Sequence, residues 1–148
     1  MRYLLDTSAL IPLVIDFGEE VLQVAKKTEL YLLDLTLYGA GNALWKMTTL
    51  LRTISLEDAL ELNSIVQKMV TKKFLKVVTY RELNLKETLE VAALNNLTFY
   101  DAAYVTAAEH LNATLVTEDE PLREKAGKYI ETATYADFKQ KASQPETT

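Results

Sequence analysis

Residues 3 to 8 read Tyr-Leu-Leu-Asp-Thr-Ser, an apolar run that stops at a carboxylate and two hydroxyl side chains. A continuous apolar run, unlike an alternating one, marks a strand covered on both faces, the kind found inside parallel sheets. Ligands of such sheets bind beyond the carboxyl ends of the strands. Asp6 therefore falls where a charge has a use. Asp, Thr and Ser are also good helix N-caps, and on this stretch alone a cap is the simpler account.

The rest of the chain alternates extended and helical patterns. A buried helical turn is expected over Ala9 to Val14, with Pro12 near its start, and an amphipathic helix over Glu19 to Lys27. Leu30 to Leu33 reads as a second strand ending at Asp34. Thr36 opens a helix to about Arg52, with Gly39 and Gly41 inside its first turns. Each glycine there costs about 1 kcal/mol relative to alanine. Close helix packing accounts well for Gly41 and less well for Gly39. Ser55 starts a helix over Leu56 to Thr71, and Leu75 to Thr79 is extended. Asn84 caps a helix over Leu85 to Asn95, with Leu85, Leu89, Ala92 and Ala93 expected to face inward.

Thr98 begins a helix of small residues reaching Leu111, and Ala113 to Thr117 is a strong strand. A short helix then runs to Ala126, Tyr129 to Thr132 is a last edge strand, and Thr134 caps a helix to about Ala142. Strands alternating with helices, without hairpin signals, define a three-layer α/β/α domain with a largely parallel sheet. One domain is expected over residues 1–142, followed by a polar, frayed tail over 143–148.

Composition narrows the chemistry. There is no cysteine and a single histidine, His110. Any bound metal must therefore be a hard cation on oxygen ligands. The net charge is −5 with no basic run, against a protein that coats nucleic acid by neutralising phosphates. No apolar stretch approaches a membrane span, and a soluble cytoplasmic protein is expected.

Three acids occupy corresponding places. Asp6 follows the first strand, Asp101 opens the small-residue helix, and Asp119 follows the Ala113–Thr117 strand. Each alone is explained by capping. Together, three carboxylates at one mouth of a sheet repel and raise one another's pKa unless a cation or a shared proton intervenes. Mg²⁺ or Mn²⁺ suits such a set, and can orient a phosphodiester and activate water.

Leu4-Leu5-Asp6-Thr7-Ser8-Ala9, Thr98-Phe-Tyr-Asp101-Ala-Ala-Tyr104 and Leu115-Val116-Thr117-Glu118-Asp119-Glu120-Pro121-Leu122 together resemble the PIN domain, and more narrowly the VapC toxins of type II toxin–antitoxin pairs. The resemblance implies a Mg²⁺- or Mn²⁺-dependent endoribonuclease acting on RNA, a homodimer, and a VapB-type antitoxin that blocks the site. It implies Asp6, Asp101 and Asp119 as catalytic metal ligands, with Ser8, Asn42 and Thr117 in support. One position departs from the pattern. The family carries an acid three residues before Asn42, and here that residue is Gly39. The chain is then an inactivated variant, a natural member with weakened activity, or one in which Asp34 or Glu118 substitutes. A catalytically silent module that still binds its antitoxin is the alternative function. A phospho-receiver domain would need an acidic pair after the first strand and a lysine after a late one, and fits poorly. Phe99 and Tyr100 are expected to pack beside the site, Trp45 and Met47 to lie in the core or a dimer surface, and His110 to be structural.

Overall fold

The computed structural model describes residues 1–145. Five strands, β1 (Arg2–Leu5), β2 (Glu29–Leu33), β3 (Leu75–Val78), β4 (Thr114–Val116) and β5 (Thr132–Ala133), form one sheet in the order β3-β2-β1-β4-β5. Every pairing is parallel. The apolar run at the start of the chain is the central strand, and period-2 alternation splits it between two cores. Tyr3 and Leu5 join Leu30, Leu32 and Leu75 on one face, while Leu4 joins Leu33, Val78 and Leu115 on the other. Leu4 and Leu5 are fully buried, and truncating either to Ala would cost about 2–5 kcal/mol.

The first face is covered by α1 (Thr7–Phe17), α2 (Val21–Lys27), α3 (Asp34–Trp45), α4 (Leu56–Thr71) and α8 (Tyr135–Ala142). The second is covered by α5 (Leu85–Asn95), α6 (Phe99–Leu111) and α7 (Glu120–Ala126). The result is the expected three-layer α/β/α arrangement. No helix among the described residues is long and apolar enough to cross a membrane. The expected tail reaches beyond α8, and residues 146–148 lie outside the described part.

Four expectations need correction. The first helix is longer than a turn: α1 is capped by Asp6, whose carboxylate accepts the Ala9 N–H, and Pro12 lies in its interior. The helix expected from Thr36 begins two residues earlier, at Asp34, and ends at Trp45 before a wide π-type turn over Lys46–Leu50. Thr36 is buried within its first turn, where Oγ1 accepts the Leu33 N–H at 3.2 Å. The last strand is shorter and later than expected. The amides of Tyr129 and Ile130 both turn back to the Ala126 carbonyl, so they are unavailable to a ladder.

The inward face of α5 is the fourth. Ala92 is buried as expected, but Leu85 and Leu89 are 52% and 61% exposed and Ala93 is exposed. Thr88, Val91 and Asn95 are buried in their place. Thr88 bonds Thr106 of α6 across the helix pair at 2.8 Å, and Asn95 Nδ2 donates to Tyr129 Oη at 2.8 Å. Paired polar groups set the rotation of α5, and an apolar periodicity count is blind to them.

Candidate active site

In an all-parallel sheet ordered 3-2-1-4-5, the chain first winds outward from β1 on one side and later on the other. The strand ends at that reversal diverge and leave a crevice, the place where open α/β sheets bind ligands. Here the reversal lies between β1 and β4. Asp6 follows β1 and Thr117 follows β4, and the Asp6 N–H reaches the Val116 carbonyl at 3.3 Å.

Asp6 is held by three donors. Ser8 Oγ donates to Oδ1 at 2.6 Å, the Ala9 N–H to the same oxygen at 3.1 Å, and Thr117 Oγ1 donates to Oδ2. Ser8 and Thr117 are in turn fixed by the following loop: Ser8 Oγ accepts the Glu118 N–H at 2.9 Å, and Thr117 Oγ1 accepts the Asp119 N–H at 3.1 Å. Arg123 donates to the Thr117 carbonyl at 2.7 Å. Burial nonetheless pushes the Asp6 carboxyl above its ordinary value, the bonds from Ser8, Thr117 and Ala9 pulling the other way.

Asp101 stands at the third residue of α6, its N–H bonded to the Thr98 cap at 3.1 Å. Its carboxyl is raised, first by burial and then by the charge of Asp119. Asp119 caps α7, accepting the Leu122 N–H at 3.0 Å. Each acid thus has the capping or first-turn role the sequence allowed, and they also converge. Among the described residues, no three His, Asp or Glu side chains stand close enough to hold a metal ion as a set.

Tyr104, one turn beyond Asp101, lies beneath the acids. It is buried and bonds Thr36 Oγ1 at 2.7 Å. Burial pushes the phenol up to about 12, with Asp6 and Asp101 adding to the rise. Its motif was legible, and its i+3 spacing from Asp101 on a helix was the available signal.

Asn42 is exposed on α3. The expectation for the two glycines is reversed. A Cβ on Gly41 would meet open space, whereas a Cβ on Gly39 would run into Thr7 Oγ1. Gly39 is the close-approach glycine of the α1–α3 contact. Neither proposed substitute for a missing acid is free. Asp34 accepts the Leu35 and Tyr80 N–H groups at 2.8 and 3.1 Å, and Glu118 accepts the Tyr135 N–H at 2.6 Å. His110 pairs with Glu87 at 2.8 Å on the surface, as a structural role requires. Trp45 is half exposed, which removes it from the core.

The family model described as PIN domain matches residues 3–128. The chain belongs to the PIN domain family. Among curated relatives it is 34% identical over 134 residues to a protein named Exonuclease VapC9 from Pyrobaculum aerophilum, covering 90% of this chain and 92% of the relative. It is 35% identical over 128 residues to one named Ribonuclease VapC3 from the same organism, covering 84% and 95%. The crystal structure of PAE2754 from Pyrobaculum aerophilum superimposes with a TM-score of 0.76 at 30% identity, over 97% of this chain and 96% of that one. A PilT N-terminus domain protein from Sulfolobus solfataricus P2, at 18% identity and a TM-score of 0.55, shares the fold over 100% of this chain and 98% of its own.

Proposed function

We propose that this protein is a metal-dependent endoribonuclease of the VapC type, hydrolysing RNA phosphodiesters at the mouth between β1 and β4. The observation that carries the reading is uncompensated negative charge: Asp101 is pushed up by Asp119 beside a buried Asp6. Relatives named as an exonuclease and a ribonuclease over nearly the whole chain support the same chemistry.

Asp6, Asp101 and Asp119 would hold Mg²⁺ or Mn²⁺. Their all-oxygen donor set fits a hard cation, and Mg²⁺ is commonly bound through one or two carboxylates, with waters and substrate phosphate completing its shell. When bound, the cation supplies charge neutralisation at the phosphate and a lowered water pKa. The protein's own part is to orient. Ser8 and Thr117 aim the two oxygens of Asp6, and the Thr98 and Asp119 caps fix the approach of α6 and α7. Asn42, on the solvent face of α3, is assigned a supporting contact. Gly39 removes the fourth acid of the family pattern and weakens the site without altering the fold. In the cell, a homodimer, a VapB-type antitoxin and a cytoplasmic location complete the reading. The unit is one domain over residues 1–142.

A catalytically silent module that still binds its antitoxin is the second reading, favoured by Gly39 alone. The test is RNA cleavage with Mn²⁺ or Mg²⁺ by this chain and by Asp101→Asn, with thermal unfolding in parallel. The expected result is metal-dependent cleavage abolished by the substitution, and a metal-induced rise in midpoint that Asp101→Asn blunts. Cleavage insensitive to chelation, or unchanged by Asp101→Asn, would sink the nuclease site. A metal-induced rise without cleavage of any RNA would favour the silent module.

A further inference from the structure

Beside the acids lies a second feature that the catalytic reading leaves unused. At the carboxyl ends of β2 and β3 a cavity of about 170 Å³ is lined by Leu33, Val78, Leu83, Tyr80, Phe99 and Tyr100. Its walls are almost wholly apolar, and its aromatic rims are open to water: Tyr100 is 64% and Phe99 39% exposed. Aromatic rings left this bare need a reason, since neither completes a core.

We propose that this groove is a subsite for one unpaired base of the RNA strand, stacked against Tyr100 and Phe99. The inference rests on the nuclease reading above and adds to it a preference for single strands. Continuity with the acids is the first argument. Phe99, Tyr100 and Asp101 are consecutive residues in the first turn of α6. A chain whose phosphate meets Asp101 therefore carries its neighbouring base to these rings. Size is the second. The cavity is smaller than the roughly 300 Å³ at which pockets for drug-sized ligands begin, so it suits one planar group and excludes a helix or a long apolar segment.

The rim chemistry is the third argument. Arg81 lies over the Tyr80 ring, 6.0 Å from guanidinium carbon to centroid, with Nε 3.4 Å from the phenol oxygen. The Tyr80 backbone is pinned by Asp34 Oδ2 at 3.1 Å. An exposed cation beside aromatic faces, on a chain of net charge −5, is the local combination that single-stranded nucleic acid uses: stacking on the rings and a cation for the phosphate. Duplex RNA, whose bases are already stacked and paired, could not use it.

The test measures binding of end-labelled homopolymeric oligoribonucleotides by fluorescence anisotropy, in Ca²⁺, against the intact chain and Tyr100→Ala, Phe99→Ala and Tyr100→Trp. Both positions are on the surface and the Thr98 cap is untouched. Tyr100→Ala is expected to weaken single-strand binding roughly 5- to 150-fold, the range of base–aromatic stacking. Tyr100→Trp should restore it, and a duplex of the same length should bind all variants alike. Single-strand binding unchanged in both alanine variants overturns the subsite while leaving the nuclease reading standing. Loss of a protein partner instead of RNA in those variants hands the groove to that partner, and equally overturns it. If the parent chain neither binds nor cuts RNA, both readings fall together.

Discussion

At the amino ends of β1 and β2, Glu29 sits between Arg2 at 2.6 Å and Lys76 at 3.1 Å, and its carboxyl is held below the ordinary range by bonds from both. At the carboxyl ends of β1 and β4, Asp6 is surrounded by hydroxyls and backbone amides, and Asp101 faces Asp119. Both of these carboxyls are raised. One sheet thus carries the same chemical group in two opposite settings. A carboxylate with cations beside it is at rest. Carboxylates gathered without one favour whatever brings positive charge or a proton to them. The contrast, more than the presence of acids, distinguishes the mouth of the sheet as a place of chemistry.

The contrast can be broken most sharply at Asp101. Replacing it with Asn should lower metal-dependent RNA cleavage by about a hundredfold or more, since a bound cation stabilises transition-state charge by several kcal/mol. Initial rates at saturating Mn²⁺ measure this. Glu29→Gln, at the compensated end, should leave those rates unchanged.

A smaller effect concerns Gly39 and Thr7. Gly39→Ala alone should gain little, because the new methyl meets Thr7 Oγ1 and cancels the helix-propensity benefit. In a Thr7→Ala background the same substitution should be about 0.5–1 kcal/mol more favourable. Urea unfolding of the four chains gives the coupling, and strict additivity would show that the two residues do not press on one another. The cycle also predicts that restoring an acid as Gly39→Glu works better with Thr7→Ala than alone.

The smallest effect runs opposite to the first. Without divalent cation at neutral pH, Asp101→Asn should stabilise the fold by about 0.5 kcal/mol, the scale of half-exposed charge pairs. The carboxyl is raised in the folded chain. Between its ordinary and raised values the folded state binds more proton than the unfolded one. Stability therefore falls as pH climbs through that window, and the amide escapes the loss. Thermal midpoints from pH 4 to 7 should diverge between parent and variant as pH rises. Parallel curves would mean that Asp119 does not press on Asp101.

Much of this was legible in the chain. The unbroken apolar run at Tyr3 to Leu5 marked a strand buried on both faces, and caps at Ser55, Asn84, Thr98 and Thr134 stand where the sequence put them. Caps are local, involving residues three apart, so sequence displays them directly. The α5 face was misread because its partners, Thr106 and Tyr129, are distant in sequence and polar. Gly39 and Gly41 were misjudged for the same reason: which of two glycines meets a neighbour depends on where α1 passes, and no local pattern records that. Asp6, Asp101 and Asp119 could be named as candidates. That Ser8 and Thr117 grip Asp6 from two strands required the sheet order.

That grip also bears on when the site comes into being. Thr117 closes on Asp6 from 111 positions away along the chain, and β4 must dock beside β1 before the contact exists. Contacts of such long sequence separation form late, after loop closure has been overcome. A nascent chain that has emerged only as far as α5 carries Asp6 on an edge without its hydroxyl partner, its β4 neighbour or Asp101. The acidic mouth is completed only by the final third of the chain, so during synthesis the folded centre of the sheet precedes any capacity to act on the message being read.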